Sequence, residues 1–511
     1  MHLSKNLRTS PTPPPFRWSH LWEPAIVNPT NLKSYTIPFF NLRDPYARTF
    51  HLSWLGFFVA FLSWFAFPPL IPDAIASDLS LTDDQIANSN IVALAATLIV
   101  RGLAGPLVDH WGPRKVMAAI LLIGAIPSGL AGTANSAGAL YALRFFIGIL
   151  GATFVPCQAW TSAFFDKSCV GAANAFVGGW GDMGGGATFV IMASLFQTLT
   201  STYGLTAHVA WRAAFVIVPV PILFGVATMV LVFGEDHPAG KWTDRHSFAT
   251  TDPEDKQVVN EPPVFNSKKD SKGVERTHIS VQPTDTLEDQ STIVGGAVDK
   301  SFSLSMMKDI VSSPPTWLLA LAYFTTLGVQ LAIGSKMADV LFSLYSERRP
   351  NFTQITAGYY TSIFGFLNLV TRPFGGCFAD VLYRSFGIKG KKIWTLVCGL
   401  TMGLTLVAGG FYLEQSEINS NAQLPILMGV FSLSAIFSEI GNGANFALVP
   451  HCNVNSNGFM SGFVGCIGNL GGIIFTLIFR FESDDGTGFW IIGIICIAIN
   501  LLLFPIRISE S

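Results

Sequence analysis

The chain alternates long apolar runs with short polar connections. A run of about 20 apolar residues is long enough to cross the hydrocarbon core of a bilayer as a helix. The predicted spans are residues 51–72, 87–108, 115–134, 139–162, 170–199, 211–233, 316–342, 355–380, 391–411, 424–449, 459–480 and 487–508. The pattern therefore predicts an all-α integral membrane protein with twelve transmembrane helices in two six-helix bundles.

The polar segments mark the parts of the chain around those bundles. Residues 1–50 form a polar tail without the apolar core of a cleavable signal peptide. The bundles occupy residues 51–234 and 316–508, with a hydrophilic linker at 235–315 and a short C-terminus at 509–511. The linker is too poor in aliphatic residues to bury a core of its own.

Composition supports the membrane class and excludes several others. Hydrophobic residues make up 50% of the chain and charged residues 13%, against roughly 25% charged in a soluble domain. A net charge of -2 gives no indication of a nucleic-acid partner. The seven cysteines lack the short paired spacing of a zinc or haem site. We therefore expect a polytopic membrane protein with no metal and no cofactor, and not an enzyme.

The distribution of lysine and arginine predicts the orientation. Basic side chains concentrate in the N-terminal tail, the linker and the segments 112–115 and 383–392, whereas 77–85, 413–421 and 482–488 are acidic or polar. Cytoplasmic loops carry the excess of basic residues, so both termini and the linker are expected in the cytoplasm. The basic loop 346–353 disagrees, although its Asn351 would be a glycosylation acceptor only on the outside.

The two halves of the chain repeat each other. "RGLAGPLVD" (101–109) and "RPFGGCFAD" (372–380) share Arg-x3-Gly-x3-Asp in the second span of each half. "GDMGGG" (181–186) likewise corresponds to "GNLGGI" (468–473) in the fifth span of each half. Duplicated six-helix bundles are typical of alternating-access transporters, which bind substrate at the midplane between the halves.

The repeat places two arginines deep in the membrane. Arg101 and Arg372 precede Asp109 and Asp380 by eight residues, which is about 12 Å along a helix. Half of the hydrocarbon core is ~15 Å, so both guanidinium groups are predicted near the bilayer centre, where a cation is costly without an anion. The planar guanidinium suits a small planar oxyanion. The alternative is that each arginine pairs with an acid from another helix, such as Asp182 or Glu439.

Other polar residues within the predicted spans each have two possible roles. Arg144 in the fourth span is a candidate for coupling or gating, or for simple structural pairing. Glu439 in the tenth span is a candidate for a proton-linked role or for balancing the arginine charges, with helix packing as the alternative. Asp182 in the fifth span is a further candidate for coupling or gating. Asp109, Arg114 and Asp380 are predicted to form conformational hinges, with Asp109 capping a neighbouring helix end.

Glycines are concentrated in the fifth and eleventh spans. Small residues at three- and four-residue spacing let helix backbones approach closely in lipid. The glycines predicted to pack in this way are Gly178, Gly179, Gly181, Gly184, Gly185, Gly468, Gly471 and Gly472. Close packing alone explains them, and it is also compatible with bundles that slide during transport.

Four motifs carry a family resemblance. "GPLVDHWGPRK" (105–115) resembles the loop signature of the major facilitator superfamily, and "LRFFIG" (143–148) resembles its fourth-helix arginine motif. "AFVGGWGDMGGGATF" (175–189) and "GFVGCIGNLGGIIF" (462–475) resemble the paired nitrate signatures of the nitrate/nitrite porter family. The resemblance covers about residues 40–235 and 315–508, and the long linker is similar to that of fungal members.

The resemblance implies a substrate site. Arg101 and Arg372 would bind nitrate, Tyr323 would offer its hydroxyl to the anion, and Asn469 would pack beside the site. Asp182 departs from the asparagine of many members. An ionised carboxylate there would repel nitrate unless it points away, pairs with an arginine or is protonated.

The resemblance also implies an activity. We expect import of nitrate, with nitrite as a second substrate, driven by protons across the plasma membrane. A negative-inside potential opposes an anion by ~2.3 kcal/mol per 100 mV, so two or more protons per anion would be needed to reverse the sign. The alternatives are nitrate/nitrite exchange and a nitrate receptor that signals through the linker, where a regulatory kinase is a candidate partner.

Overall fold

The computed structural model describes residues 8–243, 304–346, 348–349, 351–418, 422–452, 457–482 and 484–508. Most of the predicted linker and the predicted C-terminus at 509–511 lie outside these residues, as does the predicted kinase contact. The described chain is almost entirely helical. Its two short strands, β1 (Arg8–Thr9) and β2 (Ile26–Val27), pair in parallel.

The helices form two consecutive sets. The first set is α1 (Pro45–Trp64), α2 (Ala76–Leu79), α3 (Asp83–Trp111), α4 (Pro113–Gly129), α5 (Ala137–Ile147), α6 (Phe154–Phe164), α7 (Val170–Ser201), α8 (Ala207–Ile217) and α9 (Pro219–Phe233). The second set is α10 (Leu304–Ser312), α11 (Pro314–Tyr345), α12 (Gln354–Leu367), α13 (Thr371–Ile418), α14 (Leu424–Cys452), α15 (Asn457–Phe481) and α16 (Asp485–Leu503). A 3-10 stretch, Gly148–Thr153, joins α5 to α6.

These helices account for twelve membrane crossings. Ten described segments are long and apolar enough to span a membrane. One of them, Gln354–Ser416, has 63 residues, roughly three times the length that a ~30 Å core requires. It breaks at Gly387, where φ is 63°, a region that glycine enters without strain. Counting that segment as two crossings and adding the 20-residue α1 gives twelve, which confirms the predicted multi-pass, all-α fold.

The first crossing begins earlier than its apolar pattern indicates. α1 starts at Pro45, ahead of the predicted start at 51. The Asp44 carboxylate accepts a hydrogen bond from the Tyr46 N–H (2.8 Å), and proline at the first helical position costs no intrahelical bond. The first two turns carry Arg48 and His51, so the hydrophobic signal appears only after the helix has begun.

The predicted polar tail is docked on the first bundle. The Ser34 N–H donates to the Phe164 carbonyl, and the Asp166 N–H donates to the Ser34 carbonyl, both at 2.9 Å. These bonds fix residues 8–44 against the turn between α6 and α7. The same end of the molecule carries residues 235–243, and we call this end the linker face and the other end the opposite face.

The two bundles meet along two equivalent helix pairs. α3 of the first bundle packs on α15 of the second, while α7 packs on α12 and the first half of α13. A Cβ at Gly105 would lie 2.9 Å from the Gly458 carbonyl oxygen, and one at Gly186 would lie 2.7 Å from the Gly365 Cα. Each close approach requires glycine. In both pairs the second span of one half meets the fifth span of the other, the arrangement expected of duplicated halves.

Candidate functional site

The structure brings the two predicted arginines together around one aromatic ring. The Arg101 guanidinium lies 5.1 Å from the centre of the Phe154 ring, and that of Arg372 lies 5.6 Å from it. Arg101 is 1% exposed and Arg372 is fully buried. A ring face attracts cations, but it does not neutralise two of them. The cluster therefore holds two positive charges, one from each half, in the interior.

The Arg101 guanidinium is held by backbone carbonyls. Its Nε donates to the Gly151 carbonyl (2.9 Å) and its Nη1 to the Gly465 carbonyl (3.2 Å). Gly151 belongs to the 3-10 stretch before α6, and Gly465 belongs to α15 in the other bundle. No carboxylate pairs with Arg101 among the residues that the structure describes. Its charge is oriented without being cancelled.

The Arg372 guanidinium has an acidic partner. Its Nη1 pairs with the Asp182 carboxylate across the bundle interface, and its Nη2 donates a long hydrogen bond of 3.4 Å to the Tyr323 hydroxyl. Within the part of the chain that the structure describes, the Arg372 Nε has no hydrogen-bond partner. Of the three arrangements open to Asp182, the structure has the arginine pair. Protein groups therefore satisfy only some of the hydrogen-bond donors of the Arg372 guanidinium.

Three aromatic rings enclose the arginine pair. The Tyr323 ring stacks on Phe154 with centroids 5.9 Å apart, and Phe446 contacts both rings edge-on at 5.0 and 4.7 Å. All three side chains are about 1% exposed. The rings form a buried enclosure, in which electrostatic attraction to a small anion is stronger than in bulk water.

The sequence reasoning missed Phe154 and Phe446. The weak repeat between "FVPCQ" (154–158) and "LVPHC" (448–452) includes Phe154, but it aligns that ring with Leu448. Phe446 lies two residues earlier on α14. The repeat could have drawn attention to Phe154, whereas no sequence signal marks Phe446.

The glycines of the fifth span have different surroundings. A Cβ at Gly178 would lie 2.9 Å from the Arg372 Nε, and one at Gly179 would lie 3.1 Å from the Arg372 Cβ. Gly181 and Gly184 face the Phe57 ring and the Phe58 backbone of α1. Gly185 differs, because its Cβ would meet only the Phe65 ring, at an ordinary 3.5 Å. Gly178 therefore makes room for Arg372, Gly179 mainly for the Asn368 backbone, and Gly181 and Gly184 for α1.

The eleventh span lies against Tyr323 in a similar way. A Cβ at Gly468 would collide with the Tyr323 ring, while Gly471 and Gly472 face the Phe324 backbone and the Leu331 side chain of α11. Between them, the Asn469 amide donates to the Leu94 carbonyl of α3 (2.5 Å). Asn469 therefore ties the two bundles together one turn from Gly465, the residue that accepts from Arg101.

The candidate coupling residues occupy two places. Glu439 accepts hydrogen bonds from the Asn368 amide (3.0 Å) and the Thr371 hydroxyl. Glu439 and Asp182 line one cavity of about 50 Å³. Arg144 lies elsewhere, near the opposite face, and bonds the side chains of Ser89 and Asn90. Asp182 and Glu439 are grouped with the arginine pair, and Arg144 is not.

Two carboxylates close the linker face. Asp109 of α3 accepts from the Gly458 and Phe459 N–H groups at the start of α15 (3.1 and 3.0 Å). Asp380 of α13 accepts from the Ala172 N–H at the start of α7 (2.8 Å). A carboxylate stabilises a helix N-terminus through its free N–H groups and dipole. Each half therefore caps a helix of the other half.

The third predicted hinge residue acts within its own bundle. Arg114 pairs with Asp236 (3.2 Å) and donates to the Leu231 carbonyl at the end of α9 (2.5 Å). At the opposite face, a cleft of about 370 Å³ lies between the halves. The described conformation is closed at the linker face and open at the opposite face.

Comparison with known proteins identifies this architecture. A family model described as Major Facilitator Superfamily matches residues 53–476. The chain belongs to the major facilitator superfamily. It is 32% identical to High affinity nitrate transporter 2.5 of Arabidopsis thaliana, over 93% of this chain and 83% of that protein. It is 27% identical to the Nitrate/nitrite transporter NrtP of Nostoc punctiforme, over 89% and 91%.

A solved structure shares the fold. The bacterial homologue of the human lysosomal transporter Spinster, in an inward-facing and unoccupied conformation, superposes with a TM-score of 0.56 at 14% identity, over 91% of this chain and 97% of that one.

The two nitrate-transporter relatives place this facilitator in the nitrate/nitrite porter family and confirm the predicted resemblance. They are transporters, so the expectation that the chain is not an enzyme is also confirmed.

Loss of the Asp109 cap is expected to weaken closure of the linker face, and a cross-link between the bundles can measure this. A Cβ at Gly102 would lie 4.0 Å from the Cys466 Sγ of the other bundle, so Gly102→Cys should form an oxidative cross-link to Cys466. Adding Asp109→Ala removes a cap contributing about 1 kcal/mol, which lowers the ratio of closed to open protein roughly fivefold, so cross-linking should slow by up to that factor. The rate can be measured by gel shift in oxidised membranes.

The neighbouring residue supplies the control for this experiment. His110→Ala changes an exposed side chain on the same turn and should leave the rate unchanged, while Cys466→Ser should abolish the cross-link. An Asp109→Ala protein that cross-links at the parent rate would show that the cap does not hold the face closed.

Proposed function

We propose that this facilitator imports nitrate, with nitrite as a second substrate, by proton symport across the plasma membrane. The observation that carries the proposal is the pair of buried guanidinium groups, one from each half, inside one aromatic enclosure. Relatives named as nitrate or nitrate/nitrite transporters support the same substrate. In this proposal the termini and the linker face are cytoplasmic.

The arginine pair suits a small planar anion. Nitrate carries one negative charge over three coplanar oxygens, and a guanidinium presents paired donors in a plane. Arg101 lacks a carboxylate among the described residues, and the Arg372 Nε has no partner. An anion between them would receive donors from both halves. The Tyr323 hydroxyl, already near the Arg372 Nη2, would supply a further donor.

Asp182 gives the site a means of coupling to protons. The carboxylate occupies part of the fork on Arg372 that the anion would use. Protonation of Asp182 would remove its charge and release Arg372 to the substrate. Loss of that proton after the anion leaves would restore the ion pair. Empty and loaded sites would then both remain close to charge balance, which a buried site requires.

A second carboxylate supplies the second proton. Glu439 lines the same cavity as Asp182, and the contacts described for its carboxylate come from neutral donors. One nitrate entering with two protons moves one net positive charge inward. The ~2.3 kcal/mol per 100 mV that opposes the bare anion then favours uptake. Coupling to two protons needs two protonatable groups, and this cavity has two buried carboxylates.

Alternating access would use the two pseudo-symmetric helix caps. Asp109 and Asp380 join the halves at the linker face, and these bonds must break for the site to open to the cytoplasm. Occupation of both arginines would draw the halves together around the anion and close the cleft at the opposite face.

The arginine pair can be tested by uptake of labelled nitrate. Arg101→Lys and Arg372→Lys keep the charge and remove the planar fork, so each should raise the apparent KM at least tenfold or stop uptake. Arg384→Lys, an exposed position on the same helix as Arg372, is the matched control and should behave as the parent. Surface biotinylation should report equal amounts of each variant. Normal uptake by either buried variant would refute the site.

The two carboxylates can be tested by current and uptake together. The parent should show inward nitrate-dependent current that grows as external pH falls. Asp182→Asn and Glu439→Gln each remove one proton position, so each should take up nitrate with little or no current. Unchanged current in both variants would refute their role, and current-free exchange by the parent would instead support nitrate/nitrite exchange.

A further inference from the structure

Arg144 is a third buried arginine, and like Arg101 it has no carboxylate partner in the described part of the chain. It is 4% exposed, and its guanidinium lies 5.6 Å from the centre of the Phe67 ring. Its Nη1 donates to the Ser89 hydroxyl (2.6 Å) and the Asn90 side-chain oxygen (2.7 Å). Among the described residues it has no carboxylate partner, and its Nε and Nη2 make no hydrogen bond. A buried cation in this setting favours an anion beside it.

A small cavity borders this guanidinium. It has a volume of about 20 Å³, room for about one water molecule, and is lined by Arg144, Asn90, Leu94, Trp64 and Ser335 among others. Side chains from both halves take part, because Ser335 belongs to α11 and Asn90 to α3. The cavity therefore lies on the boundary between the bundles and not inside one of them.

The cavity lies between the open cleft and the arginine pair. Asn90 and Ser335 line both the cleft and the cavity. Arg101 follows Asn90 by eleven residues on α3, which is about 16 Å along the helix. Leu94 lies in the cavity wall, and its carbonyl accepts a hydrogen bond from the Asn469 amide. Asn469 lies one turn after Gly465, whose carbonyl accepts from Arg101. An anion entering from the cleft passes Arg144 before it reaches Arg101.

The charges of the cleft favour such a step. Its lining includes four aspartates, Asp83, Asp84, Asp339 and Asp485, against Lys336 and Arg480. Lys336 is already engaged by Asp339 (2.7 Å) and Asp485 (3.3 Å). A monovalent anion is therefore repelled at the mouth, while protons are attracted. Arg144 is the first deeply buried cation on the way inward.

We propose that Arg144, with Ser89 and Asn90, forms a receiving site for a small monovalent oxyanion, which the anion occupies before it moves to Arg101 and Arg372. This inference rests on the proposed function for the identity of the anion. The free edge of the Arg144 guanidinium supplies the charge and paired donors, and the Asn90 amide nitrogen and the Ser335 hydroxyl border the same space.

The site can be tested with cysteines that react with charged reagents. Ser335 and Ser343 lie on the same helix, and each hydroxyl bonds the carbonyl three residues earlier (3.0 Å). Ser335 borders both spaces, whereas Ser343 borders only the cleft. Ser335→Cys and Ser343→Cys are therefore matched probes near to and far from Arg144. Each would be treated with anionic and cationic methanethiosulfonates of equal size, with the parent protein as background.

At Ser335→Cys the anionic reagent should react at least fivefold faster than the cationic one, and nitrate should slow the reaction. Adding Arg144→Gln should remove both effects, and Ser343→Cys should show neither. Arg144→Lys, which keeps the charge, should retain the reagent preference and weaken nitrate protection about fivefold. Arg144→Lys also provides the test of the site if the Arg144→Gln protein fails to fold.

A reagent preference at Ser335→Cys that persists without the Arg144 charge would overturn the proposal. So would nitrate protection that disappears in Arg372→Lys and survives in Arg144→Gln, since the protection would then belong to the arginine pair. Modification requires no transport. Failure of nitrate uptake by the parent would refute the proposed function, while the reagent preference would still be measured.

Discussion

Two guanidinium groups share the centre of this membrane protein with one paired carboxylate. Arg101 and Arg372 approach the same Phe154 ring, and the Asp182 carboxylate pairs with Arg372 alone. A buried charge without a partner costs several kcal/mol, so the surroundings must hold the pair in place. The carbonyls on Arg101, the small residues beside Arg372 and the enclosing rings all serve this constraint.

The duplicated halves meet that constraint through side chains of each half that bond to the other half. The second span of each half carries an arginine near its middle and an aspartate at its linker end, and both side chains reach elements of the other half. Arg101 bonds Gly465 and Asp109 caps α15, while Arg372 pairs with Asp182 and Asp380 caps α7. The binding groups and the closure of the linker face therefore lie on the same helices. A shift of one bundle against the other changes both together.

The sequence predicts the framework well, because each membrane crossing has a length set by the bilayer. The arginine depth follows from the rise per residue and the distance to the repeated aspartates. The sequence identifies Asp182 and Glu439 as possible partners of the arginines, but it could not select the pair of Asp182 with Arg372, since that choice depends on helix rotation. Phe446 carries no signal, and the docking of residues 8–44 depends on backbone partners that no residue pattern encodes.

The most direct test of the central claim is nitrate binding to purified protein by calorimetry, with two glycines of α7 compared. Gly178→Ala places a methyl group 2.9 Å from the Arg372 Nε, whereas Gly185→Ala meets only the Phe65 ring at 3.5 Å. The account predicts at least tenfold weaker binding for Gly178→Ala, about 1.4 kcal/mol, and parent-like binding for Gly185→Ala. Equal, parent-like affinities in both variants would contradict it.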